Sequence, residues 1–143
     1  MKILPTILAA LTVAAGPFHA HAGGGKAPAA TSSDGLALAG IPPGVVDASS
    51  ARTLVAAGVK VVDVRTPAEF AAGHVPGALN IPFDEMARRH GEIGPPSTPI
   101  LIYCRTGHRS GIAGQTLREK GFTRIFDLKA YDLWVRSQAA APR

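Results

Sequence analysis

Cysteine is almost absent: Cys104 is the one cysteine in 143 residues. A lone cysteine excludes an internal disulfide framework and an internal thiol–disulfide cycle, since both need a second sulfur. Three roles remain: a small buried hydrophobe, a bridge to another chain, or a working thiol. Aromatic residues are also sparse, at 6%, and no block of Lys and Arg stands out, so nothing resembles a nucleic-acid surface. No internal repeat is visible, which argues against a tandem arrangement of domains. His and Cys show no metal-ligand spacing, so neither a metal nor another cofactor is expected. The formal net charge of +5 is a mild excess that suits small anionic ligands or simple solubility.

What is present begins with an export pattern. Lys2 is followed by an apolar stretch through Ala15, then by Ala20-His21-Ala22, a small-x-small cleavage pattern. The apolar run is shorter than the roughly 20 residues that a membrane span needs. Residues 1–22 therefore read as a cleaved secretory signal, with no stable membrane anchor left behind, and the mature chain is expected in the periplasm or secreted. Residues 23–40, rich in Gly, Ala, Pro and Ser, read as a flexible leader with no part in the core. A single domain is expected over 41–138, with a disordered tail at 139–143.

Within 41–138 apolar runs alternate with helical segments. The β-branched run 59–64 and Pro-Ile-Leu-Ile-Tyr at 99–103 have the composition of strands buried on both faces. Shorter strands are expected at 45–46, 78–81 and 124–126. Helices are expected at 47–57, 67–72, 84–90, 110–120 and 130–138, punctuated by Pro67, Gly58, Gly73 and Gly121. The order implies an α/β fold: a central parallel sheet with helices on both faces. Reactive groups in such sheets collect at the carboxyl ends of strands.

Cys104 stands at such an end. The segment Tyr103-Cys104-Arg105-Thr106-Gly107-His108-Arg109-Ser110 carries a buried strand straight into a short polar loop and then a helix. Backbone N–H groups of such a loop can curl around an anion, and the helix N-terminus adds partial positive charge. Arg105, His108 and Arg109 add more. Gly107 permits a backbone turn that a side chain resists, and Ser110 is placed to cap the helix. All of these favour the thiolate, the nucleophilic form of cysteine. An inert buried cysteine would have apolar neighbours instead.

The chain at this point resembles the rhodanese family. Val61-Val62-Asp63-Val64-Arg65 is similar to its Asp-x-Arg strand end, and Glu69-Phe70 with Gly73-His74-Val75-Pro76-Gly77-Ala78-Leu79-Asn80-Ile81-Pro82 to its second signature. The segment from Cys104 to Ser110 is similar to its active-site loop. The resemblance runs from about Val45 to Trp134 and implies a single rhodanese-like domain, similar to periplasmic sulfurtransferases of the phage-shock-protein-E type. It implies that Cys104 carries sulfur as a persulfide and that Arg105, Thr106, Gly107, His108, Arg109 and Ser110 form the substrate cradle, by backbone N–H and by cation. Asp63 and Arg65 would form a supporting polar pair beside the loop, or else a structural ion pair fixing the strand end. His74 reads as structural. The implied partners are a small anionic sulfur donor such as thiosulfate and an acceptor that is cyanide or a thiol; oligomeric state is left open. One departure stands out. The Gly-Gly pair that the family places before its last helix is replaced here by Lys129-Ala130, or the register has shifted.

Two rival readings meet specific obstacles in the same segment. A cysteine phosphatase or arsenate reductase needs Cys-x5-Arg, whereas Arg109 follows Cys104 with four residues between. A non-catalytic sulfur carrier or partner-binding module could use the same fold, although many such domains have lost the cysteine that this chain retains.

Overall fold

The computed structural model describes residues 40–140 together with Leu38. The export signal expected at 1–22, most of the leader expected at 23–40, and residues 141–143 of the expected tail lie outside the described residues.

Five parallel strands form one sheet in the order β1-β5-β4-β2-β3. They are β1 (Gly44–Val45), β2 (Lys60–Asp63), β3 (Leu79–Asn80), β4 (Ile100–Cys104) and β5 (Ile125–Ala130). The helices are α1 (Ala48–Ala56), α2 (Pro67–Ala72), α3 (Met86–Arg89), α4 (His108–Glu119) and α5 (Tyr131–Ala139), with a single 3-10 turn at His90–Glu92. The α/β class with helices on both faces is as the sequence implies.

The central strands divide their side chains between two cores, because successive residues of a strand face opposite ways. Leu101 and Tyr103 of β4 join Val61, Phe126 and Leu128 in one core, closed by Leu54 of α1 and Trp134 of α5. Ile100, Ile102 and Cys104 face the other, with Val62, Val64 and Ile125, closed by Met86 of α3 and by Ala113 and Leu117 of α4. Burial on both faces explains why β4 reads as an unbroken apolar run rather than as an alternating one, and why Val61 and Val62 stand side by side in β2.

Local chemistry fixes the helix ends. Asp47 caps α1 by accepting from Ser50 N at 2.7 Å. Thr66 and Glu69 form a reciprocal capping box at the start of α2, beside Pro67 at the first helical position.

Five expectations need correction. Strand β5 runs through Ala130, past the expected 126 and over the residue expected to open the last helix. Leu38, placed in the leader, is buried in the same core as Val46 and Leu54; two leucines, Leu36 and Leu38, in a Gly- and Ala-rich stretch give too little periodicity to read. α5 runs through Ala139, one residue into the expected tail. Strand β4 includes Cys104, which is its last residue rather than the first of the loop. The N-cap of α4 is Gly107, at φ +99°, and not Ser110, which lies inside the first turn.

Candidate functional site

Cys104 ends β4, where Tyr103 pairs with Lys129 and Cys104 itself with Ala130 of β5. Its residue is buried, apolar on the side facing Ile102 and Ala113. Apolar and polar surroundings therefore coexist: the sheet side is core, and the loop side supplies donors. Gly107 N–H donates to Sγ at 2.9 Å. Burial pushes the Cys104 thiol up, but the backbone N–H groups of Ser110, Thr106 and Gly107 and the Ser110 hydroxyl outweigh it, so the thiol lies below its usual range. The Ser110 hydroxyl has one proton, which the Gly107 carbonyl at 3.1 Å and the sulfur can accept only in turn. The arrangement can hold an anionic sulfur at the N-terminus of α4.

The cations around the loop are arranged differently from the expectation. Arg109 turns away to Glu69 of α2, donating to Oε2 at 2.6 Å and to Oε1 at 2.8 Å. Arg109 above all, backed by Thr66 and opposed by partial burial, holds the Glu69 carboxyl down at about 2. Arg109 thus ties the loop to α2 rather than presenting a free charge to the sulfur. Arg105 and His108 are exposed, and among the described residues neither has an ion-pair partner. Thr106 contributes its backbone.

Asp63 and Arg65 pair tightly, with Arg65 Nη2 2.6 Å from Asp63 Oδ2 and Nε 3.0 Å from both carboxylate oxygens. Arg65 also donates to the Gly73 carbonyl at 2.7 Å and lies 4.3 Å above the Tyr131 ring and 5.5 Å from that of Tyr103. Burial works against the Arg65 charge, and Asp63 more than compensates. These contacts place the pair on the Tyr103 face of the sheet, whereas Cys104 faces the other core. The pair braces the strand ends and the turn after α2. Tyr103 belongs to the same brace: its hydroxyl accepts from Val75 N at 3.0 Å. His74 stacks on Phe70 with ring centroids 3.7 Å apart, and its Nδ1–H donates to the Phe70 carbonyl at 2.9 Å.

The Lys129-Ala130 departure has a geometric answer. Lys129 is the one non-glycine residue with positive φ among the described residues, at +70°, so the backbone keeps the left-handed conformation that glycine favours. That costs a side-chain-bearing residue about 1 kcal/mol. Asp127 offsets it by accepting from Lys129 N at 2.8 Å and pairing with Nζ at 2.9 Å.

Glu69, Asp127 and Tyr131 stand at the site without a role expected from the sequence. A signal existed for the first: Thr66-Pro67-Ala68-Glu69 has capping-box spacing. Contacts between β5 and the loop depend on register and leave no local mark.

Comparison with known proteins agrees with this geometry. The sequence model of the rhodanese-like domain family matches residues 47–136. The chain is 42% identical over 71 residues to a sulfurtransferase of Allochromatium vinosum, covering 50% of this chain and 65% of that protein. It is 37% identical over 65 residues to the thiosulfate sulfurtransferase PspE of Escherichia coli K12, covering 45% and 62%. The chain thus spans less than two thirds of either relative. Among solved structures, the human single-domain sulfurtransferase TSTD1 superposes with a TM-score of 0.59 at 29% identity, over 68% of this chain and 97% of that one.

Proposed function

The chain belongs to the rhodanese-like domain family, and from that premise we propose that it is a sulfurtransferase carrying sulfane sulfur on Cys104. The observation that carries this reading is the sulfur itself. Sγ sits at the carboxyl end of a central strand, accepts an N–H at 2.9 Å, and faces the first turn of a helix. A thiolate stabilised by donors is a nucleophile at neutral pH.

The cycle has two steps. The Cys104 thiolate attacks the outer sulfur of a donor such as thiosulfate; a sulfur–sulfur bond forms to Cys104, and the donor's own sulfur–sulfur bond breaks, sulfite leaving with its electron pair. Cyanide or a thiolate then attacks the outer sulfur of the persulfide, and Cys104 departs as thiolate. Charge stays on the terminal sulfur throughout, so N–H groups at the loop stabilise both the resting thiolate and the persulfide anion. Exposed Arg105 at the loop suits an anionic donor.

The phosphatase reading is weaker on the same geometry. Its loop must bring an arginine over a tetrahedral oxyanion, and Arg109 is instead bound to Glu69. The sulfur-carrier reading shares the persulfide and differs only in the acceptor, a dedicated protein rather than a small molecule. The export pattern in residues 1–22 supports an exported form, similar to the PspE-like subtype, acting in the periplasm or outside the cell; fractionation of cells expressing the whole chain tests that. The function is tested by steady-state transfer from thiosulfate to cyanide. Ping-pong kinetics, abolished in Cys104→Ser, support it, and substantial activity in that variant contradicts it.

A further inference from the structure

Lys129 lies on β5, 22 positions beyond the loop glycine against which it packs. A Cβ on Gly107 would lie 2.9 Å from Lys129 Cδ and 3.3 Å from Lys129 Cβ, so the lysine stem is seated directly on Gly107. Gly107 is the residue whose N–H donates to Cys104 Sγ. The register shift in the β4–β5 ladder between Ile102 and Tyr103 sets Lys129 opposite Tyr103, one residue before the cysteine. The Asp127 carboxylate then holds Lys129 at both ends, with Oδ1 on its backbone N–H at 2.8 Å and Oδ2 near Nζ at 2.9 Å.

The lysine amine is therefore engaged by Asp127, while the aliphatic stem makes the contact with the loop. We propose that Lys129 is a positioning residue: clamped by Asp127 in its left-handed conformation, its stem presses on Gly107 and keeps the Gly107 N–H aimed at Cys104 Sγ. This rests on the reading of Cys104 as the sulfur carrier and adds a reason why its loop holds its shape.

The test reads the thiol directly, by the pH dependence of Cys104 alkylation with iodoacetamide on the whole chain. Charged groups around the sulfur are Arg105, His108 and Arg109 on the loop and α4, Glu69 on α2, Asp63 and Arg65 at the end of β2, and Asp127 and Lys129 on β5. None of the other seven changes in the variants used. Lys129→Gly keeps the backbone conformation and removes the stem, so folding is retained and thermal unfolding checks it. The alkylation midpoint should rise by about one pH unit, the size of one hydrogen bond to a charged acceptor. Lys129→Met rebuilds the stem without the amine and should return the midpoint towards that of the parent. An unchanged midpoint in folded Lys129→Gly overturns the proposal, and so does a Lys129→Met variant that behaves like Lys129→Gly, since the amine would then be the active part. Alkylation needs no sulfur donor, so a chain that fails to transfer sulfur yet shows these shifts refutes the proposed function and leaves the positioning role standing.

Discussion

Arg109 sets its two terminal nitrogens on the two carboxylate oxygens of Glu69, at 2.6 and 2.8 Å, joining the first turn of α4 to α2 across 40 positions of sequence. Glu69 also closes the capping box with Thr66, so one carboxylate fixes both the start of α2 and the loop that follows Cys104. This gives the site a rigid side wall independent of the sheet.

The pH dependence of that wall follows from its sign. The Glu69 carboxyl is held at about 2, below the ordinary value of 4.5, so its contribution to stability is full above about 4.5 and is lost as pH falls towards 2. Glu69→Gln should lower stability at pH 7 by about 1 kcal/mol, as a half-exposed ion pair does. The gap between parent and variant should close over that acid range in urea titrations. A gap independent of pH would mean that the ionised pair contributes nothing.

Ser110 acts on the thiol by its backbone N–H and by its hydroxyl. Ser110→Ala retains the first and removes the second. The alkylation midpoint of Cys104 should lie below that of a free thiol in the parent and rise by about half a pH unit in the variant. Alkylation rates against pH read both values.

The Asp63–Arg65 pair is buried, with Arg65 only 6% exposed and Asp63 wholly enclosed. Asp63→Ala leaves a guanidinium in the interior with the Gly73 carbonyl as its remaining hydrogen-bond acceptor, and should cost about 3 kcal/mol. Urea unfolding monitored by Trp134 fluorescence measures it. A loss below 1 kcal/mol would show that water reaches Arg65 readily.

Gly107→Ala meets two obstacles, a φ of +99° and the Lys129 stem. It should cost about 2 kcal/mol and raise the alkylation midpoint. Lys129→Gly in the same chain removes the second obstacle only, so the double variant should recover part of the stability. Additive losses would mean that the two residues do not touch.

Much of this was legible in the sequence, for identifiable reasons. Strands β2 and β4 are buried on both faces, so the β-branched run 59–64 and the apolar run 99–103 stand out, and Pro67, Gly58 and Gly121 mark helix ends locally. The cysteine loop was readable because its residues are contiguous. The rest depended on distance in sequence. Strand β5 extends beyond 124–126 because Asp127 and Lys129 satisfy each other, although they interrupt the apolar pattern. Arg109 looked like a free cation until Glu69, far along the chain, was brought to it. Ser110 has the chemistry of an N-cap, but Gly107 takes that place because its positive φ turns the loop into α4 three residues earlier.

The central claim is that Cys104 carries sulfur covalently, and the intact mass of the protein tests it most directly. After incubation with thiosulfate the mass should rise by one sulfur atom, and cyanide should restore the original mass with release of thiocyanate. Cys104→Ala should show neither change. A folded parent protein whose mass never changes with thiosulfate, or a mass gain that persists in Cys104→Ala, would contradict it.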